Sequence, residues 1–457
     1  MVNMTKNLAF VLLALALATS LLCIQCRSVK GSSSVSVGAY YYAWWDPTSP
    51  EQEHDRKNWS SPRILDEPNL TRYNSNDSNV IKQHFRWLED LKVDFIIISW
   101  WGVDSFTDNS TKMVFETAIE NQTKIKMCIM IEPFNGTNSI DFNSTYNYIH
   151  EKYVQPFNSV YYKLENKPLL LFFNEDNFTD AITFHRDSRF TVKISGQKLY
   201  VDWVYHDKIP RQWQGILPHN RVFPVCPSFD DSHVRYPNHT IDVDYSNDSY
   251  INDWKKALNY AKNDLVDIIT ICSWNELEER TAIEPHINPN ATGKNPFYLY
   301  NITKTYVYNL KGQGLVICTP SRTPEGEIQP NQTVTISVNV TDFINTVLSV
   351  SIRYFTNFSE AMSEYPMTFN STSGLYEYSI PGQPASTKVS YSIVAWDSGG
   401  IKETNDNAGY YFTYPVVPEF PAVPGLLLFM LATLLAVMIY GRRRILKKRL
   451  GQQTPNS

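Results

Sequence analysis

The 457-residue chain has no excess of charge of either sign. Lys and Arg number 41 against 46 Asp and Glu, and the formal net charge is −5. No basic surplus points to nucleic acid, and no acidic run points to a solvating tail. Cysteine is scarce, with six residues in all, and no Cys/His spacing resembles a zinc site. Cys23 and Cys26 lie in or beside an N-terminal apolar run. Cys23 lacks the preceding small residue of a lipoprotein signal. Cys128, Cys226, Cys272 and Cys318 each sit in an apolar stretch. Four cysteines allow three pairings among which sequence does not choose, and buried free thiols are the simpler expectation. A phosphate-cradling glycine loop, an internal repeat and a long low-complexity segment are also missing.

What is present is apolar and aromatic. Hydrophobic residues make up 43%, charged residues 19% and aromatic residues 14%. That supports sizeable cores, and the length suggests two or three domains. The ends set the compartment. Lys6 precedes an apolar run from Leu8 to Ile24, so residues 1–27 read as a signal peptide or signal anchor. Val423 to Tyr440 carries no charge and is just long enough to cross a bilayer. Arg442, Arg443, Arg444, Lys447, Lys448 and Arg449 follow, within a basic tail spanning 441–457. Positive residues stay on the cytoplasmic side, which leaves the large middle portion outside the cell and the chain anchored to the plasma membrane. About seventeen Asn-x-Ser/Thr sequons, among them Asn58, Asn109, Asn301 and Asn370, fit a glycosylated surface protein.

From Val35 to about residue 315, short apolar runs alternate with amphipathic ones. The expected strands are Val35–Ala43, Val93–Trp100, Ile125–Ile131, Pro168–Phe173, Phe190–Ile194, Leu199–Val204, Arg221–Val225 and Val266–Trp274. The expected helices are Asn79–Leu91, with Asp77 or Ser78 as cap, Lys112–Ile119, Thr145–Leu164, Tyr250–Ala261 and Tyr298–Leu310. Continuous apolar strands, such as Phe95-Ile96-Ile97-Ile98, imply burial on both faces. The fold class is therefore α/β, with a (β/α)8 TIM-type barrel over 35–315. Too little chain separates the fifth and sixth strands for a helix, so one unit is degenerate or a hairpin. Residues 325–414, rich in Val, Ile, Tyr and Ser with turn signals between runs, read as a small Ig-like or fibronectin-like β-sandwich. That domain serves as a spacer or binds carbohydrate. A transmembrane helix at 423–440 follows it.

Catalytic groups of such a barrel sit at the C-terminal ends of its strands. There the sequence repeats aromatics and carboxylates: Tyr41, Trp44, Trp100, Trp101, Glu132, Asp202 and Asp230. The last strand exit reads Asn275-Glu276-Leu277-Glu278-Glu279-Arg280-Thr281-Ala282-Ile283-Glu284-Pro285. Sugar C–H faces pack on aromatic rings, and sugar hydroxyls bond to carboxylates. Paired carboxylates are also the usual tools of glycoside hydrolysis. Crowded acids raise one another's pKa, which keeps a general acid protonated. Each group has a plainer alternative. Glu runs favour helix starts, Trp100 and Trp101 could cap the core, and Asp230 and Asp231 could form a turn.

The order of motifs resembles glycoside hydrolase family 99, the endo-acting α-mannosidases and α-mannanases, from roughly Gly38 to Tyr300. Tyr41-Tyr42-Ala43-Trp44, Asn58-Trp59-Ser60-Ser61-Pro62 and Tyr73-Asn74-Ser75-Asn76-Asp77 follow its pattern. So do Ser99-Trp100-Trp101-Gly102, Ile131-Glu132-Pro133-Phe134 and Pro227-Ser228-Phe229-Asp230-Asp231 with Arg235 after it. Asn275 to Pro285 is similar to the family's N-E-W-H-E-G-T-x-I-E-P. The resemblance implies retention without an enzymic nucleophile. Glu276 would take the proton of the sugar 2-hydroxyl, which attacks C1. Glu279 would act as acid, then base. Tyr41, Trp44, Trp100, Trp101, Glu132, Asp202, Asp230, Asn275 and Glu284 would bind substrate. No metal or organic cofactor is implied, and the partners are an oligosaccharide or polysaccharide and the membrane.

The sequence departs from the pattern at Leu277, Glu278 and Arg280. Arg280 would lower the Glu279 pKa if the two side chains met. Two other functions fit the same sequence: an inactive glycan-binding barrel, and a polysaccharide glycosyl-transfer protein, against which the outward topology argues. Val417-Pro418-Glu419-Phe420-Pro421 with the apolar helix and basic tail also resembles the PEF-type sorting signals of archaeal surface proteins.

Overall fold

The computed structural model describes residues 35–50, 54–59, 64–133, 141–174, 186–196, 201–205, 220–235, 241–243, 248–289, 295–418 and 431–442. The expected signal at 1–27 lies outside the described residues.

Eight parallel strands form the barrel: β1 (Ser36–Tyr42), β2 (Phe95–Trp100), β3 (Lys126–Ile131), β4 (Lys167–Asn174), β5 (Thr191–Gly196), β6 (Trp203–Val204), β7 (Val222–Val225) and β8 (Ile268–Ile271). The hydrogen-bonded order runs from β6 through β5, β4, β3 and β2 to β1, and on to β8 and β7. β8 pairs with β1 at Ser36↔Ile268, so the sheet curls back on itself as a TIM-type barrel. β2 is buried at every position, as its unbroken apolar run requires. Gly38 of β1 is a glycine for a packing reason. The Phe95 ring lies where a Cβ would project, and that ring stacks on Tyr162 at 3.9 Å.

β5 and β6 resolve the ambiguity in the sequence. They pair in parallel, Ser195↔Trp203 and Gly196↔Val204, so they are not a hairpin. The unit is degenerate: only six residues separate the two strands in sequence, and β6 keeps two residues.

Helices α1 (Ser78–Asp90), α2 (Phe106–Glu120), α3 (Phe142–Ile149), α4 (Asp248–Lys262) and α5 (Tyr298–Leu310) alternate with these strands. Asp77 caps α1 by accepting the Asn79 N–H at 2.8 Å. α2 starts six residues before the expected Lys112, because the Ser105 hydroxyl caps it by accepting the Asp108 N–H. The expected helix Thr145–Leu164 is shorter. α3 passes into a π-helical turn at His150–Val154 and stops before Pro156. Proline supplies no N–H and disfavours a helical residue before it. Tyr161 then bridges to Met127 beside β3.

Beyond the barrel, β9 (Leu315–Ile317) pairs antiparallel with β12 (Val340–Asp342). The remaining strands are β10 (Ser321–Thr323), β11 (Val334–Val338), β13 (Val347–Thr356), β14 (Ser359–Pro366), β15 (Thr368–Asn370), β16 (Leu375–Ile380), β17 (Lys388–Asp397), β18 (Lys402–Asn405) and β19 (Phe412–Pro415). They form a four-stranded sheet, β10-β11-β16-β15, and a five-stranded sheet, β14-β13-β17-β18 with β19 on β17. Alternation along β11 buries Val334, Ile336 and Val338. Tyr378 of the first sheet stacks on Tyr365 of the second at 5.3 Å. The chain divides into two compact units. One holds the barrel to Thr319 with Val340–Leu348 and Trp396–Glu403; the other holds Pro320–Asn339, Ser349–Ala395 and the chain from Thr404.

Cys128, Cys226, Cys272 and Cys318 are buried and outside any disulfide, as expected. Of the expected transmembrane stretch, 423–430 lies outside the described residues, and 431–442 is helical with exposed side chains. No helix among the described residues is long and apolar enough to cross a membrane.

Candidate active site

The chain leaving β8 folds into a self-bonded loop that carries four carboxylates. The Ser273 hydroxyl accepts the Glu276 N–H at 2.8 Å and meets the Thr281 hydroxyl at 2.9 Å. Ser273 N–H donates to the Thr281 carbonyl, and Ile283 N–H returns to the Ser273 carbonyl. Trp274 N–H donates to the Tyr40 carbonyl at 2.7 Å, which ties the loop to β1. Leu277, a departure from the family pattern, is fully buried and packs in the core.

Glu276 Oε1 accepts the Glu278 N–H at 2.9 Å and the Glu279 N–H at 3.3 Å. These bonds favour the ionised carboxylate. Burial opposes them and is the largest influence; the charges of Glu279 and Glu278 add to it, and Lys57 offsets part. The net effect holds the Glu276 proton well above the usual carboxylate range. Glu279 is also shifted upward, chiefly by burial, against the pull of Arg235, whose Nη2 lies 2.6 Å from Oε1. Two interacting acids titrate as a pair, so the pair retains protons above the ordinary range. Glu278 faces Lys57, with Nζ to Oε2 at 3.3 Å.

Two tyrosines face these acids. The Tyr42 and Tyr205 hydroxyls bond to each other. Burial first, then the charge of Glu276, raises the Tyr42 pKa well above that of a free phenol. Glu132 and Glu279 contribute too, so Tyr42 lies within the electrostatic reach of three carboxylates. Glu132 is held by the Ser99 hydroxyl, which donates to Oε1 at 2.7 Å and accepts the Trp101 indole N–H at 3.1 Å. An aromatic plate and a carboxylate are thereby set side by side. The His54 ring stacks on Trp101, with ring centroids 5.4 Å apart.

Arg280 does not pair with Glu279. Its buried guanidinium donates to Asp66 through Nε and Nη2, to Asp230 at 3.3 Å and to Asn288 at 2.8 Å. Its backbone is left-handed, with φ +57°. A residue with a Cβ is uncommon there, and the buried ion pairs compensate. The expected lowering of Glu279 by Arg280 is therefore replaced by the pull of Arg235. Burial works against ionisation of Asp230, but Ser232 and Arg280 outweigh it and hold its pKa low. Asp230 N–H also donates to the Glu279 carbonyl at 2.9 Å.

Strand alternation separates the expected site residues. In β1, Tyr40 crosses the barrel to the Ser195 hydroxyl at 2.6 Å, and Tyr42 reaches the acids. Tyr41, between them, turns to α1 and meets His84 Nδ1 at 3.0 Å. Glu284 closes that network, with Oε1 3.1 Å from His84 Nε2 and Oε2 accepting the Tyr73 hydroxyl at 2.8 Å. Asn275 bonds the Tyr42 backbone in both directions and donates to the Tyr73 hydroxyl. Trp100 is fully buried, its N–H on Asp108 of α2 at 2.7 Å. Asp202 accepts the Ile194 N–H at 2.8 Å and so extends the short β5–β6 ladder. The expected binders Tyr41, Trp100, Asp202, Asn275 and Glu284 thus spend their polar groups on the fold. Trp44 stays beside Tyr42, with ring centroids 4.5 Å apart.

Lys57, Tyr42 and Tyr205 were not singled out from sequence as site residues. Applying the two-residue period to β1 finds Tyr42; Lys57 and Tyr205 carry no comparable signal. Among the described residues no cluster of His, Cys, Asp and Glu is arranged for a metal.

A barrel with carboxylates and aromatics at its strand exits suits glycoside hydrolysis. Residues 42–186 match the model of glycosyl hydrolase family 99. The chain is 24% identical over 172 residues to the glycoprotein endo-alpha-1,2-mannosidase-like proteins of Mus musculus and Homo sapiens. That stretch is 31% of this chain and 37% and 36% of theirs. It is also 24% identical over 143 residues to the glycoprotein endo-alpha-1,2-mannosidase of Mus musculus, 25% of this chain and 30% of that one. The chain thus spans about a third of the length of the curated relatives it matches. Two solved structures of the GH99 endo-alpha-mannosidase from Bacteroides thetaiotaomicron are 20% identical. Each covers 61% of this chain and 98% of that one, with TM-scores of 0.49 and 0.48.

Proposed function

We propose that the protein is a retaining endo-glycoside hydrolase acting on α-mannose-type glycans. The observation that carries it is the pair Glu276 and Glu279 on one self-bonded loop, both with raised proton affinity. Glu276, steadied by two backbone N–H groups, takes the proton of the sugar 2-hydroxyl. That oxygen attacks C1 while Glu279 protonates the departing oxygen. Water, deprotonated by Glu279, then opens the 1,2-anhydro sugar at C1, and Glu276 returns its proton to O2. Two inversions at C1 give net retention, a substrate-assisted exception to the two-carboxylate scheme. Trp101 and Glu132 offer the sugar a stacking face and a hydroxyl acceptor, with Trp44 and Asp230 at the rim.

We also propose that the barrel lies outside the cell, with the chain held at the membrane by 423–440 and the basic tail inside. The full chain, incubated with α-mannans and high-mannose glycans, is expected to release internally cut oligosaccharide whose new anomeric carbon keeps its configuration by NMR. Inverted product would defeat the mechanism.

A second reading, a barrel that binds glycan without cutting it, is favoured by the Arg235 guanidinium on Glu279. Binding on a glycan array with no product at long incubation would establish it.

A further inference from the structure

We propose that Lys57 and Glu278 form a positioning pair for Glu276: Glu278 supplies a backbone bond to the base, and Lys57 cancels the charge that Glu278 brings beside it. This rests on the role of Glu276 in the proposed hydrolysis. Lys57 is not a loosely held surface side chain. Its N–H donates to the Trp44 carbonyl at 2.7 Å and its carbonyl accepts the Asp46 N–H at 2.8 Å, so its backbone runs as a short bridge alongside Trp45. Its Nζ lies 5.1 Å from the Trp44 ring centroid and 3.3 Å from Glu278 Oε2. Both side chains are about nine-tenths buried or more, 10% and 4% exposed. An uncompensated charge at that depth is costly.

The geometry gives Glu278 two opposed effects. Its N–H donates to Glu276 Oε1 at 2.9 Å, which favours the ionised base. Its carboxylate, two residues away, disfavours that base by like charge. Lys57 opposes the second effect and leaves the first intact. The other groups around Glu276 are Glu279 of the same loop and Tyr42 of β1, with Arg235 and Asp231 reaching Glu279 from beyond β7.

The test compares Lys57→Met, Glu278→Gln and the double variant with wild type, each as the full chain. The acid limb of kcat/KM is expected to move to higher pH in Lys57→Met and lower in Glu278→Gln, and to return near wild type in the double variant. Each unit of upward movement is about a tenfold loss on the acid side. A uniform loss at every pH, or no return in the double variant, overturns the pair.

A substrate-free readout separates this from failure of the hydrolase reading. The unfolding temperature of Lys57→Met is expected to equal or exceed wild type at low pH and to fall progressively below it towards neutral, whereas the double variant does not fall below wild type as pH rises. An offset constant with pH overturns the proposal even if no glycan is ever cut. The predicted divergence without turnover would sustain the pair and sink only the function.

Discussion

Two buried carboxylates eight residues apart on one loop are met by different neighbours. Glu284 has both oxygens partnered, by the Tyr73 hydroxyl and the His84 ring, and it joins the loop to α1. Glu276 is equally deep, yet its neighbours include two further carboxylates, and its proton is held far more tightly than in water. Depth is common to both, so burial alone does not set them apart. The difference is in the neighbours: one carboxylate has a side-chain partner on each oxygen, and the other is crowded by like charge. A sequence shows both as Glu within a conspicuous acidic motif, which is why Glu284 entered the expected site beside Glu276 and Glu279.

The comparison is open to several tests. Glu276→Gln and Glu279→Gln are each expected to lower turnover by about 10²- to 10⁴-fold, the usual contribution of a positioned acid or base. Their unfolding temperatures should equal or exceed wild type, because each removes a crowded charge. A large loss of stability would erase the contrast with Glu284. Arg280→Ala should cost about 3–5 kcal/mol in denaturant unfolding, since Asp66 and Asp230 are left as buried charges. Arg280→Gly should cost less, as glycine accepts the left-handed backbone. Glu284→Gln should cost about 2 kcal/mol, because its amide meets one of two donors with a donor.

The smallest effect is electrostatic. The fold holds the Glu276 proton to higher pH than the unfolded chain. The stability it contributes is complete below the ordinary carboxylate range and is lost as pH rises through the raised value. Wild type should therefore fall behind Glu276→Gln as pH climbs from about 4 towards neutral, read as a widening gap in unfolding temperature. The same shifts put both limbs of a pH–rate profile above the usual carboxylate range.

Much of the barrel was legible because buried parallel strands must be continuously apolar. The runs around Phe95–Trp100 and Ile268–Ile271 are therefore visible without a structure. The length of α3 was not. The helical pattern of 145–164 continues past Pro156, but the missing N–H and the clash before it end the helix. The positions of Glu276, Glu279, Glu132, Trp101 and Asp230 beyond the strand ends were legible. Their partners Lys57 and Arg235 come from chain segments distant in sequence, and no local pattern ties them to the acids.

The sequence by itself determined the alternation of strands and helices, the burial of the four thiols and the loop on which the acids sit. Those follow from local periodicity and residue chemistry, which every segment carries with it. Which tyrosine of three faces the acids, where Arg280 points and which carboxylate is satisfied were decided by the tertiary structure. Each depends on what stands within about 3 Å, and in a barrel those neighbours come from strands and loops far apart along the chain.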